Sequence, residues 1–436
     1  MRDSPEPNRR QVWQGLVAAA IVGPQAALAK GSKDTGNSQP ANTIDNLQAP
    51  EVLPGKWEIR PEYERELSRV GFVWNREFLR DLFIHNVEEG QTFKDILNVV
   101  PKTSDLFIVT NNNLDKETRG AVLRGVTGIG FPESRIHLIP TDKVFDSGWT
   151  QDIGEALQPV DRSSGTHGML VSAPFMRADA VTKFFDAKQV ESGRAMAAGN
   201  AVQANFYFVG GNFQPTRLAD GSIGYMIGHD DILGNHKKDE PMTDALATQT
   251  IKKIAKFLRG AKVIMMGRGD QGDESFHIDH GAMTLPNMHA LVAEVTDVGR
   301  RANTRIAQQR FNEYASQLEA LGYMVTRVPH SSEDIERGRY SLNGMPYLDP
   351  NDKKVHVLFP VYDGEFTPLQ KDAPLSQTDL IASSKAYRMY KAIAETGCVP
   401  HPIRDTLNLH KILRGSIHCA MQNLAQYELS TKSNYA

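Results

Sequence analysis

The sequence predicts a mixed α/β chain built as one large domain, and three observations carry that expectation. Short β-rich runs recur: Leu106–Thr110, Ile136–Pro140, Met169–Phe175, Phe206–Val209, Tyr225–Ile227, Val263–Met266 and Val355–Pro360. Three helical patterns, Thr243–Leu258, Thr304–Leu321 and Thr378–Glu395, stop at Gly260, Gly322 and Gly397 respectively. An apolar strand follows each of them within a few residues: AKVIMM, YMVTRV and CVPHPI. No long low-complexity hinge divides the body. There is no exact sequence repeat, so any repetition is structural.

Composition narrows the function classes. The chain has 436 residues, 40% of them hydrophobic and 23% charged, which excludes wholesale disorder and fibrous classes. Lys and Arg number 49 against 52 Asp and Glu, for a net charge of −3, so nothing suggests a nucleic-acid footprint. Two cysteines, Cys398 and Cys419, are too few for a disulfide scaffold or a multi-cysteine zinc site. Beyond the extreme N-terminus no apolar stretch approaches the ~20 residues needed to span a bilayer.

The N-terminus reads as an address. Asn8-Arg9-Arg10 precedes a small, apolar run from Gly15 to Ala29, which ends Ala27-Leu28-Ala29, an A-x-A cleavage pattern. The expectation is a twin-arginine signal peptide over residues 1–29, a polar linker over 30–50 and a catalytic domain over 51–436. The protein would then be periplasmic or secreted.

Four segments concentrate the chemistry. Gly415-Ser-Ile-His-Cys419 sets a cysteine in a polar, glycine-preceded stretch that suits a partly exposed thiolate, or a small buried hydrophobe. If this stretch is extended, His418 and Cys419 point to opposite faces, and His418 is not automatically the base of Cys419. In Asp273-Glu-Ser-Phe-His277-Ile-Asp279-His280, a strand would turn His277 and Asp279 the same way, one to handle protons and one to hold a cation. Trp149-Thr-Gln-Asp152-Ile-Gly-Glu155 offers an acid beside a tryptophan, or a surface turn. Gly210-Gly-Asn212-Phe213 follows the apolar run FYFV and allows close backbone approach, or a plain tight turn. No P-loop, G-x-S-x-G or H-E-x-x-H occurs.

In this order, W-x-Q-D, then G-N, then H-x-D, then a C-terminal G-x-x-H-C, the four segments resemble the guanidine-modifying (pentein) superfamily. Within it they are most similar to the catalytic domain of protein-arginine deiminases. The resemblance runs from about Asp105 to Asn423. It implies a pentein-type α/β propeller with fivefold pseudosymmetry and a site in its central channel. It also implies deimination of peptidyl-arginine to peptidyl-citrulline, with an arginine-containing peptide or protein as substrate. Agmatine deiminases and amidinotransferases share the H-x-D and C-terminal cysteine patterns, so a small guanidine such as agmatine or free arginine is the alternative. A non-catalytic guanidine-binding protein is a third reading.

Carried over by residue, Cys419 is the nucleophile and His277 the general acid/base, while Asp152 and Asp279 hold the substrate guanidinium. Arg177, in Pro174-Phe-Met-Arg177, and Asn212 stand at further substrate-binding positions. The residue types suit the chemistry, since a guanidinium is planar, always charged and presents a fork of donors that carboxylates match. Many free-amine deiminases carry an acid directly before the Gly-Gly-Asn turn. Val209 stands there in this sequence, which points to the protein-arginine branch. Calcium is implied as well, with Gln151, Glu155 and Gln214 at its ligand positions. Gln214 stands where the family has an acid, which removes charge from such a site.

Overall fold

The computed structural model describes residues 49–85, 91–144, 150–161, 166–174, 180–197, 200–237, 242–267, 277–298, 302–367, 374–405 and 416–424. The expected signal peptide and nearly all of the linker lie outside these residues, as do Trp149 and Arg177.

Among the described residues, five sheets repeat one plan. A first strand pairs antiparallel with a second. A helix then leads to a third strand, parallel to the second. Glu155–Pro159, Gly168–Val171 and Ala201–Gln203 form one unit around the helix Ala180–Met196, and Trp57–Glu58 adds to its edge. Phe213–Arg217, Ile223–Gly228 and Lys262–Met266 form the next, around Asp244–Phe257. Ala282–Leu285, His289–Val295 and Met324–His330 follow with Ala302–Ala320. Met345–Leu348, Val355–Val361 and Val399–Arg404 follow with Lys385–Glu395. The last sheet joins the two ends of the chain: Gln422–Asn423 pairs antiparallel with Arg69–Val73, which runs parallel to Asp105–Asn111 and its neighbour Ile136–Thr141. Parallel pairs need crossover helices, which is why strand and helix alternate along the sequence.

The helices obey their end signals. The Thr243 side chain accepts the Leu246 N–H at 3.2 Å and starts one helix. Gly260, Gly322 and Gly397 follow three of them in the left-handed region, at φ 82°, 93° and 84°. The pattern Thr378–Glu395 is shorter as a helix than its sequence suggests. Asp379 ends a separate single turn, Gln377–Asp379, and Ser384 caps a new helix by accepting the Tyr387 N–H at 3.1 Å.

One expected strand is absent. Phe206–Val209 is irregular, because its amides bond to side chains instead of a ladder. Tyr207 N–H donates to Asn235 Oδ1 at 2.8 Å, Phe208 N–H to Ser172 Oγ at 2.9 Å and Val209 N–H to Asp231 Oδ2 at 2.9 Å. Its apolar character serves packing alone: Phe206, Phe208 and Phe213 are buried in one cluster with Phe257.

Candidate active site

Each of the five units delivers one polar side chain from the turn just before its first strand. These are Asp152, Asn212, Asp279, Asn343 and Cys419. Four of the turns are single helical turns: Gln151–Ile153, Gly210–Asn212, Ile278–Gly281 and Ile417–Ala420. The H-x-D and H-C segments are therefore not strands. His277 is the residue preceding one short helical turn and Asp279 lies within it, and His418 and Cys419 sit together on another.

The turns touch in sequence. Gly210 packs so closely on its neighbour that a Cβ there would lie 2.1 Å from Gln151 O. Ile278 N–H donates to Asn212 Oδ1 at 3.1 Å. Asn343 Nδ2 donates to Asp279 Oδ2 at 2.8 Å and to Cys419 Sγ at 3.2 Å. Asn343 also accepts the Ser416 N–H on Oδ1 at 2.7 Å and the His418 N–H on its carbonyl at 3.2 Å. The Cys419 turn packs in turn on Gln151–Ile153.

Cys419 is 4% exposed, and its thiol donates to Asp279 Oδ2 at 3.3 Å. Burial pushes the thiol well above its ordinary range, and the carboxylates of Asp279 and Asp152 push it further. Burial also raises Asp152, to about 6, against the pull of His277. Asp279 goes the other way. Burial opposes its charge, but His280, His418 and His277 hold it down to about 2. His277 is raised despite burial, because Asp279, Asp152 and Asp231 surround it. Asp152 Oδ1, Asp279 Oδ1 and His277 Nδ1 are buried with no hydrogen-bond partner among the described residues. Two carboxylate oxygens and a ring nitrogen thus stand ready for a ligand that donates hydrogen bonds and carries positive charge.

No protein-family model and no curated protein sequence matches the chain. Solved structures do. The agmatine deiminase of C. jejuni aligns over 84% of this chain and 95% of its own, with a TM-score of 0.54 at 14% identity. That of Enterococcus faecalis aligns over 88% and 98%, with a TM-score of 0.54 at 13% identity. A protein provisionally named a peptidyl-arginine deiminase aligns over 86% and 99%, with a TM-score of 0.54 at 14% identity. The chain has the fold of the pentein deiminases.

Against that deiminase fold, the expected calcium ligands do not make a cation cradle. Arg65, fully buried, pairs with Glu155 Oε1, and Gln151 Nε2 donates to Glu155 Oε2 at 3.3 Å. Gln214 turns its Nε2 to Gly211 O at 3.3 Å. A guanidinium of the protein itself already neutralises the acid that a calcium ion would need. His277, Asp279 and His280 also offer atoms within 4.8 Å of one another. Asp279 Oδ2 there already accepts from Asn343, His418 and Cys419, which reads as an acid–base cluster.

Asn212 is fully buried, and its Oδ1 braces the H-x-D turn. Cys398 is a free, buried thiol in the hydrophobic core, and Cys419 is free as well. Sequence reading missed Asn343, Asp231 and Glu62. For Asn343 the signal was faint: Asn343-Gly344 before an apolar strand mirrors Gly211-Asn212, but Asn-Gly is an ordinary turn pair.

Proposed function

We propose that the chain is a hydrolytic deiminase of guanidines, acting on the C–N bond of an amidine-type carbon. The observation that carries this is the pair of unpartnered carboxylate oxygens on Asp152 and Asp279, beside the Cys419 thiol and the unpartnered ring nitrogen of His277.

The chemistry follows from the charges. A bound guanidinium offsets the two carboxylates, which lowers the cost of moving the Cys419 proton to water. The thiolate attacks the central carbon, forming a C–S bond. His277, as imidazolium, gives its proton to the departing nitrogen, and ammonia leaves as the C–N bond breaks. Neutral His277 then takes a proton from water. The resulting hydroxide attacks the amidino-thioether carbon, the C–S bond breaks and Cys419 leaves as thiolate with a ureido product.

A small guanidine of the agmatine kind is the first reading of the substrate. The fold shared with agmatine deiminases supports it. Near this turn Asp231, on the helix His229–Gly234, accepts the Val209 N–H at 2.9 Å and lies close enough to His277 to act on its charge. An acid therefore stands beside the turn although position 209 is valine, and the argument from Val209 toward a peptide substrate is weakened. Peptidyl-arginine is the second reading, supported by the provisionally named peptidyl-arginine deiminase of the same fold. The five like units also support a propeller around one axis.

Agmatine, free arginine and a blocked arginyl peptide, each assayed for ureido product and ammonia with calcium and with chelator, test the proposal. Agmatine turnover indifferent to chelator is expected. Turnover of the peptide alone would replace the substrate, and no turnover of any guanidine by folded protein with an intact thiol would overturn the reading. We further propose export through residues 1–29. An unprocessed N-terminus on the native protein would refute it.

A further inference from the structure

His418 adjoins the nucleophile in sequence but does not touch its sulfur among the described contacts. Its Nδ1 lies 2.8 Å from Asp279 Oδ2 and its Nε2 3.1 Å from Glu62 Oε2, and it is 3% exposed. Glu62 comes from the turn Glu62–Glu64, 356 positions away in sequence. A neutral imidazole donates from one nitrogen only, so a ring flanked by carboxylate at both nitrogens is satisfied as the imidazolium. The other charged groups facing it are Asp152 and Glu155. Arg65 is paired with Glu155. His280 sits nearby but burial lowers it to about 4, which leaves it neutral at neutral pH.

We propose that His418, held as an imidazolium between Glu62 and Asp279, is a positioning residue that keeps Asp279 a carboxylate aimed at the substrate guanidinium. This rests on the deiminase reading. His280 Nε2 lies 3.8 Å from the other oxygen, Oδ1, and helps to hold Asp279 down once it is protonated in acid, but near neutral pH that ring is uncharged and the cation hydrogen-bonded to Asp279 is that of His418. Asn343 Nδ2 adds a second donor to the same oxygen. Oδ2 is thereby fixed to the protein, and Oδ1 is left for the ligand.

His418→Gln keeps a donor and removes the charge. It should raise KM for the guanidine at least tenfold, with a smaller fall in kcat. It should also move the acid limb of kcat/KM to higher pH, because Asp279 without its cation takes up a proton sooner. Glu62→Gln leaves the ring with one carboxylate. His418 should then lose its proton at lower pH, raising KM on the alkaline side, and Glu62→Asp should restore most of the wild-type KM.

The ring is also read without activity, by nitrogen-15 histidine spectra from pH 5 to 9, assigned by the signal lost in His418→Gln. Both nitrogens should stay protonated well above the ordinary histidine range in the wild type, and the midpoint should fall measurably in Glu62→Gln. A wild-type ring that titrates near its ordinary value overturns the proposal. So does an active His418→Gln with unchanged KM and pH profile. If His418→Gln does not fold, Glu62→Gln carries both readouts. A wild type that turns over no guanidine refutes the deiminase reading, whereas the spectra still decide whether the ion triad exists.

Discussion

Cys419 and Asp279 share one proton-bearing contact, and the asymmetry around it governs reactivity. Burial and the two carboxylates that face the sulfur outweigh the Asn343 amide that donates to it, so the resting state is the thiol. Iodoacetamide should therefore label Cys419 slowly at pH 7.5. A chloroacetamidine, which brings its own positive charge, should label it at least tenfold faster at equal concentration. Mass-spectrometric time courses compare the two, and equal rates would refute the electrostatic account. Cys419→Ala should lower turnover by at least about a thousandfold, as loss of a covalent nucleophile does, measured as ammonia release. Asn343→Ala removes a donor from both Asp279 and Cys419. It should lower kcat/KM by about ten- to a hundredfold, in line with the ~1.5–3 kcal/mol of a hydrogen bond to a charged group.

At the scale of elements, the site depends on turns that approach without side chains between them. A Cβ on Gly211 would lie 2.6 Å from Asp279 Oδ2, at the far end of a side chain. A Cβ on Gly210 would lie 2.1 Å from the Gln151 carbonyl, which is backbone and cannot step aside. Gly210→Ala should thus lower thermal stability clearly, by about 1–3 kcal/mol as overpacking does. Gly211→Ala should move Asp279 and lower activity with a smaller change in melting temperature. Circular dichroism melts beside kinetics separate the two. The reverse pattern would mean that the turns are more pliant than their packing indicates.

Across the whole molecule, the gathering of acids in one buried volume sets a pH-dependent trade between stability and function. Burial, relieved in part by His277, leaves Asp152 at about 6, above its unfolded value of 3.8. A raised acid contributes stability that is complete below the unfolded value and is lost as pH rises through the folded value. Asp152→Asn removes that loss. Its melting temperature relative to wild type should therefore climb between pH 4 and pH 7, while activity is abolished. Differential scanning fluorimetry of both proteins across that range checks the sign, and a gap that narrows with pH would refute it. Agmatine should raise the melting temperature of the wild type alone, because its cation neutralises the same carboxylate.

The α/β alternation, most strands, the starts and stops of several helices and the order of the candidate site motifs were all legible in the sequence. Each rests on local physics: hydrophobic period, a capping hydroxyl at Thr243, a glycine that accepts positive φ. What stayed hidden is a matter of partners. Phe206–Val209 reads as a strand, but its amides bond to side chains from Ser172, Asp231 and Asn235. Glu155 reads as a metal ligand until Arg65 is found against it, 90 positions away. His418 reads as a neighbour of Cys419, yet its contacts are Asp279 and Glu62, 139 and 356 positions distant. The sequence by itself determined which reactive groups the chain carries and in what order. Their charges, and which of them meet, were decided by the tertiary structure, because ionisation depends on burial and on the sum of neighbouring charges, and both arise only when five distant turns close on one another.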